Sequence, residues 1–369
     1  MAGMRRARWL APWKDSDEKP VIYHCVTRVV DRRFALEAEE KEVMRTLMRM
    51  QENFTGCRVL AYCLMSNHIH LLLEVPPMPK GGLSDAELLE RLKALYDREF
   101  VAGVADRLAE FRASGPEAAV RDLRESFTYR MHDLGEFMKT LLQRFTRWFN
   151  ARHKRTGTLW ESRFKSVLVE DGAALRTMAA YIDLNPVRAG MVEDPADYRW
   201  SSYGEAMGGG PKGNGKKARA GLVRALMAHK GYAADARHWA GEVSKAYRMM
   251  LLEKGEEKRR EVVEKGGKRG VRVIRKGMKR EDAEAERARL GGSWDVALGK
   301  MLRCRVRYFT DGAVIGSRKF VDDVFGKCRG RFGEKRTSGA RRLRGSAAAA
   351  AGVLWSARDL KKGIGEAAI

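Results

Sequence analysis

The sequence predicts an α+β fold, and three features of the 369 residues carry that prediction. Val21–Val30, Arg58–Leu64 and His68–Val75 are short apolar or alternating runs of the length and composition of strands. Met65-Ser66-Asn67 joins the last two tightly enough to pair them antiparallel. Between and after them, Leu36–Phe54 and Gly135–His153 place apolar residues at helical spacing.

Taken in order, Val21–Val30 is the first strand. Leu36, Val43, Leu47, Met50 and Phe54 line one face of the helix that follows. The two paired strands come next, and then a stretch of different character, Pro77–Met131. It opens on Ser84-Asp85-Ala86-Glu87, a capping-box pattern that predicts a helix to about Glu99. Gly115-Pro116 starts another, ending near Phe127. In Gly135–His153 the stripe Phe137, Leu141, Phe145, Trp148 and Phe149 marks the strongest helix. Thr156-Gly157-Thr158 then turns the chain into a strand, Leu159–Glu170. Ala173–Leu184 reads as a short helix stopped by Asn185-Pro186, because the residue before proline avoids the helical region.

Two histidines at the start of the third strand are the first chemical feature. His68 and His70 share one face, while Ile69, Leu71 and Leu73 point to the other, into a core. Roughly 6.5–7 Å of strand separates their Cα atoms, which lets both imidazoles reach one metal ion. The competing reading is a pair of half-buried histidines satisfied by backbone carbonyls. The second feature is Tyr181, four residues before Asn185 and so on the same helix face. A tyrosine hydroxyl is a weak nucleophile at its free pKa near 10, and a metal that polarises a phosphate lowers the demand on it. The carbonyl oxygen of Asn185 is the candidate third ligand. Together these residues describe a phosphodiester-cleaving site with a covalent tyrosine. Alone, Tyr181 reads as a packed helix tyrosine.

VIYHCVTRV, CLMSNHIHLLLE, FMKTLLQRFTRWFN, GTLWESRFKSVLVED, YIDLNPVRAG and DYRWSSY follow one another between residues 20 and 207. This ordered set resembles the single-tyrosine HUH transposases, in particular the REP-associated tyrosine transposase branch. By motif, the resemblance puts the HUH histidines at His68 and His70, the nucleophile at Tyr181 and the helix-borne ligand at Asn185. It implies a ferredoxin-like HUH domain over residues 1–207 with a central antiparallel sheet, and the helical insertion at about 77–131 is a departure from the shortest members of that family. It also implies Mg2+ or Mn2+ as cofactor and single-stranded or hairpin DNA as substrate.

Charge and composition agree with a polyanionic partner. The net charge is +24, unevenly placed: residues 1–200 carry 32 Lys and Arg against 29 Asp and Glu, and residues 201–369 carry 40 against 19. The excess therefore lies in the second half, divided here into a basic linker and helical region (208–292) and a mostly helical, basic C-terminal region (293–369). Gly208–Lys217 reads as the linker, and Ala218–Lys230 and Ala234–Lys265 as helices. Gly266–Lys279 is basic and weakly structured. Trp294–Cys304 and Ser317–Lys327, joined through Thr310-Asp311-Gly312, are compatible with a helix-turn-helix, and Arg331–Arg344 with a phosphate-binding arm. Nearer the site, Arg144, Arg147, Arg155, Arg163 and Lys165 are candidate phosphate contacts. Trp160 is either a stacking platform for an unpaired base or a core residue.

Five cysteines form no CxxC pair, which argues for reduced thiols rather than a zinc knuckle or a disulfide framework. No apolar run is long enough to span a bilayer, and no apolar segment follows the basic N-terminus as a signal peptide requires. The expected location is cytoplasmic, at the nucleoid. His24, His132, His153, His229 and His238 have no partner at ligand spacing and read as structural or surface residues. The functional expectation is a metal-dependent single-strand DNA nickase and strand transferase working through a 5′-phosphotyrosine, as monomer or homodimer. A domesticated DNA-binding regulator of the same fold and a zinc phosphodiesterase using water are the alternatives.

Overall fold

A computed structural model describes residues 10–15, 19–208, 214–227, 236–239, 241–255, 257–263, 269–290, 309–310, 312–332, 334, 336–343 and 353–358. At its centre stands β1 (Val21–Arg28), hydrogen-bonded antiparallel to β3 (His68–Val75) on one side and to β4 (Lys165–Val169) on the other. β2 (Arg58–Leu64) pairs with β3 and forms one sheet edge. The helix between β1 and β2 is α1 (Ala38–Thr55). A Glu37/Glu40 capping box opens it, and Gly56 closes it with a φ of 74° that favours glycine.

Both faces of the sheet are covered, and this decides where the histidines point. Alternation sends Tyr23, Cys25, Ile69, Leu71 and Leu73 to a core filled by α1 and α5 (Leu134–Arg152). Ile22, Leu72, Val167 and Val169 face the opposite way, onto α6 (Ala173–Asp183) and α9 (Asn214–Leu226). The 77–131 insertion folds into α2 (Asp85–Leu92), α3 (Arg98–Ser114) and α4 (Glu117–Thr128). These helices bury Leu88, Val104, Leu123 and Phe127 in a small core of their own, against Phe54. The helix expected to run to Glu99 breaks after Leu92 and restarts at Asp97, whose side chain caps α3.

Several expectations are corrected. The strand after α5 is shorter than Leu159–Glu170, with only an isolated bridge from Val29 to Trp160 ahead of β4. The helix from Ala173 does end before Asn185-Pro186, at Asp183, but a second helix starts there. α7 (Asn185–Ala189) follows α6 at once with Pro186 in its first turn, where a missing N–H breaks no bond. α8 (Ser202–Met207) comes next, and α9 then begins at Asn214, inside the segment expected to be a linker. α9 packs closely on β2: a Cβ at Gly221 would lie 2.4 Å from the Val59 carbonyl oxygen. α10 (Glu242–Gly255) stops before the charge-dense stretch, which instead forms a hairpin of β5 (Lys258–Val263) and β6 (Arg269–Arg275), followed by α11 (Arg280–Leu290).

The C-terminal region is not mostly helical where it is described. β7 (Gly312–Gly316) joins β4 in parallel, so the central sheet is mixed rather than wholly antiparallel. α12 (Arg318–Lys327), β8 (Arg341–Arg342) and β9 (Trp355–Arg358) complete a seven-stranded order β2-β3-β1-β4-β7-β9-β8. The proposed helix-turn-helix is corrected on this point, because Gly312 enters a sheet strand instead of a turn between helices. Its other half, Trp294–Cys304, lies outside the described residues. In the expected basic arm, Arg336 packs over Phe332 and donates to the Gly339 carbonyl. No helix among the described residues is long and apolar enough to cross a membrane.

Candidate active site

Register brings the chemistry to one face. Arg28 lies opposite His68 and Val26 opposite His70, while Lys165 lies opposite Val26 on the far side. With side chains alternating, Arg28, His24, His68, His70 and Lys165 all belong to the face that carries α6. α6 delivers Tyr181 to that face. Its ring lies 5.9 Å from the His70 ring and 6.1 Å from the His24 ring. Phe309 stacks on Tyr181 at 4.6 Å, and the Arg188 guanidinium sits 5.1 Å from the ring centre. Tyr181 is 2% exposed.

The histidine hydrogen bonds are specific. His24 Nδ1 lies 2.8 Å from the Phe309 carbonyl oxygen, and His24 Nε2 lies 2.9 Å from His70 Nδ1. The His68 and His70 rings meet edge to face at 4.9 Å. Asn67 Nδ2 donates to the Arg32 carbonyl, which leaves Asn67 Oδ1 to accept from His68 Nδ1 at 2.6 Å. Burial lowers the pKa of His24 to about 4. Burial, assisted by the Arg28 charge, does the same to His68. His70 is held well below the usual imidazole value by burial, then by His24 and His68. All three rings are therefore neutral at pH 7, the form that ligates metals.

This donor set fits a divalent cation. Neutral imidazoles have nitrogen lone pairs to give, and each ligand candidate has its Nδ1 anchored by a neighbour, as metal-binding histidines do. Asn185 directs Nδ2 to the carbonyls of Tyr181 and Ile182, so its Oδ1 is the atom left for a cation. Among the described residues, no group of three or more His, Cys, Asp and Glu is arranged to hold a metal. The expected set is thus two imidazoles and an amide, a neutral set that leaves the cation's full charge for an anionic substrate.

Residues 18–103, which span β1, the histidine strand and the start of the insertion, match the family described as "Transposase IS200 like". Over that segment the chain is similar to the IS200-like transposases. No curated protein matches it. Among solved structures it is similar to "Structure of the REP associates tyrosine transposase bound to a REP hairpin", at 13% identity and a TM-score of 0.33, covering 64% of this chain and 97% of that one.

The IS200-like segment contains His68, His70 and His24, and Tyr181 and Asn185 reach it from α6 and α7. The other expected DNA contacts are less close to this constellation. Arg144 and Arg147 lie on α5, the helix layer of the opposite sheet face. Arg155 is drawn over the Phe149 ring and donates to the Thr158 carbonyl. Arg163 is exposed ahead of β4, and Lys165 alone of the set shares the histidine face. Trp160 is corrected to a core residue. It is buried among Phe145 and its neighbours, and its indole N–H donates to Thr146 Oγ1 and the Leu142 carbonyl.

Sequence reasoning also missed residues. His24 has no partner at ligand spacing along its own strand, but it meets His70 across two strands. Arg28 and Arg188 are sequence-distant cations that only the pairing and the α6–α7 junction bring in. The loop Val30–Phe34 carries Arg32, Arg33 and a Phe34 that is 79% exposed. Asp31 and Arg32 there hold φ values of 56° and 54°, a strained region for residues with side chains. Asn67 straps this loop to His68 by bonding both.

Proposed function

We propose that the chain is a single-strand DNA endonuclease and strand transferase with Tyr181 as nucleophile and His68, His70 and the Asn185 amide oxygen as ligands of Mg2+ or Mn2+. The observation that carries this reading is the approach of Tyr181 to His70, two residues 111 positions apart in a chain whose histidine strand lies in a transposase segment. Bound there, a divalent cation supplies Lewis-acid polarisation of the scissile phosphate. Tyr181 Oη attacks the phosphorus as its proton departs. The bond to the 3′ oxygen breaks, that oxygen takes up a proton and leaves as a 3′ hydroxyl, and the 5′ phosphate stays on the tyrosine, ready for transfer to another 3′ hydroxyl. Arg188 brings positive charge to the tyrosine, and Arg28 and Lys165 bring it to the same sheet face for the flanking phosphates.

The loop beside His68 supports a single-stranded substrate. Exposed Phe34 offers a base a ring to stack on, and the exposed Arg32 and Arg33 just before it bring positive charge for the phosphates. The hairpin form of the substrate rests on the motif resemblance to the REP-associated branch. Incubation with hairpin oligonucleotides and Mn2+ tests the proposal: a covalent protein–DNA adduct is expected, and intact DNA with no adduct overturns it. One observation favours a second reading. Tyr181 lies covered beneath Phe309, which suits a protein that binds hairpins without cutting them. Tight binding without an adduct would select that reading.

A further inference from the structure

We infer that His24 is a positioning residue that sets the tautomer of His70 and so turns the His70 Nε2 lone pair toward the site. A carbonyl oxygen can only accept, so the 2.8 Å contact with Phe309 requires a proton on His24 Nδ1. A neutral imidazole has one N–H, which leaves His24 Nε2 as an acceptor. At 2.9 Å it takes the proton of His70 Nδ1. His70 then has its only proton on Nδ1, and Nε2 is left with a lone pair. The relay runs from a backbone carbonyl, which cannot change its role, through one imidazole to the next. His24 and His70 are fully or almost fully buried and their rings lie parallel within 10°, so neither can reorient without losing its partner.

His68 reaches the same end by another route. The Asn67 amide is fixed by the Arg32 carbonyl and accepts from His68 Nδ1. Both histidines of the strand therefore present Nε2, each through an anchor outside the ligand set. This assignment rests on the proposed metal role of His68 and His70, but the tautomers themselves do not depend on a metal.

The experiment uses the full chain with nitrogen-15-labelled histidine, first without metal. Long-range proton–nitrogen correlation spectra should show His70 protonated at Nδ1 in the wild type. His24→Leu should lose that signature and weaken Mn2+ binding, measured calorimetrically, by about 10–100-fold. His24→Gln keeps an amide that can donate to Phe309 or accept from His70, and should restore most of both. A wild-type His70 protonated at Nε2 would overturn the relay, and this holds even if the leucine variant does not fold. Unchanged His70 signals in a folded His24→Leu chain would overturn it equally. If the tautomers are as inferred but no variant binds Mn2+, the relay stands and the metal reading above fails.

Discussion

Tyr181 carries the most direct prediction at the residue scale. Tyr181→Phe should abolish the covalent adduct while hairpin affinity, read by fluorescence anisotropy, stays within about twofold, because a phenyl ring keeps the stacking on Phe309 and loses only the hydroxyl. An adduct that survives would move the nucleophile elsewhere. Asp183, two residues on, supplies a pH prediction. It accepts from the Tyr203 N–H and the Tyr247 hydroxyl, yet burial raises its pKa to about 7. A carboxyl whose folded pKa lies above its unfolded value binds its proton more tightly when folded. Its contribution to stability is therefore complete below about pH 4 and is lost as the pH rises through about 7. Asp183→Asn should remove this slope, so denaturant melts at pH 4 and pH 8 should differ less in the variant than in the wild type. Equal pH slopes would mean that Asp183 is ionised throughout.

At the scale of elements, two aromatics exchange the roles that the sequence offered for one of them. Trp160 looked equally suited to base stacking and to the core, because its neighbours are basic and its own chemistry serves both. Packing against α5 decides for the core. Trp160→Ala should cost about 3–5 kcal/mol of stability, seen as a lower urea midpoint. Phe34→Ala should leave that midpoint unchanged and weaken single-strand binding by about 1–3 kcal/mol. A Phe34 variant with full affinity would remove the loop from the DNA path. The same scale explains why β2 and β3 were legible to the residue while the strand before α6 was not. β2 and β3 are continuous apolar runs around a short turn, whereas Leu159–Phe164 is apolar at positions that serve packing without a ladder.

For the whole molecule, the second half is part of the same body. α9 lies on β2, and Arg224, 2% exposed, pairs with the fully buried Glu74 of β3 and with Asp171 ahead of α6. β7, α12 and β9 extend the sheet from β4. By charge alone, a net +3 over residues 1–200 against +21 over 201–369 suggests a catalytic unit that works without residues from 208 onward. The packing argues otherwise, since that cut would strip Arg224 from Glu74 and Phe309 from Tyr181 and His24. A chain ending at residue 207 should be poorly folded, with loss of near-ultraviolet circular dichroism, and should give no adduct. Arg224→Ala in the full chain isolates one part of this: it leaves the buried Glu74 carboxylate with Arg58 as its remaining partner and should lower the urea midpoint. A truncated chain that melts cooperatively and still cleaves would restore the two-part view.

The sequence by itself determined the strands of the histidine hairpin, the helices α1, α4 and α5, the shared face of His68 and His70, and the motif order that points to Tyr181 and Asn185. Those are consequences of local periodicity, capping and proline chemistry, which act over a few residues. Tertiary structure decided what periodicity cannot reach: the pairing that sets His24 against His70, the burial of Trp160, the parallel join of β7 to β4, and the return of Phe309 to cover Tyr181. Each depends on contacts between residues far apart in the chain, where charge and composition describe a segment but sheet register and two-sided burial choose its place.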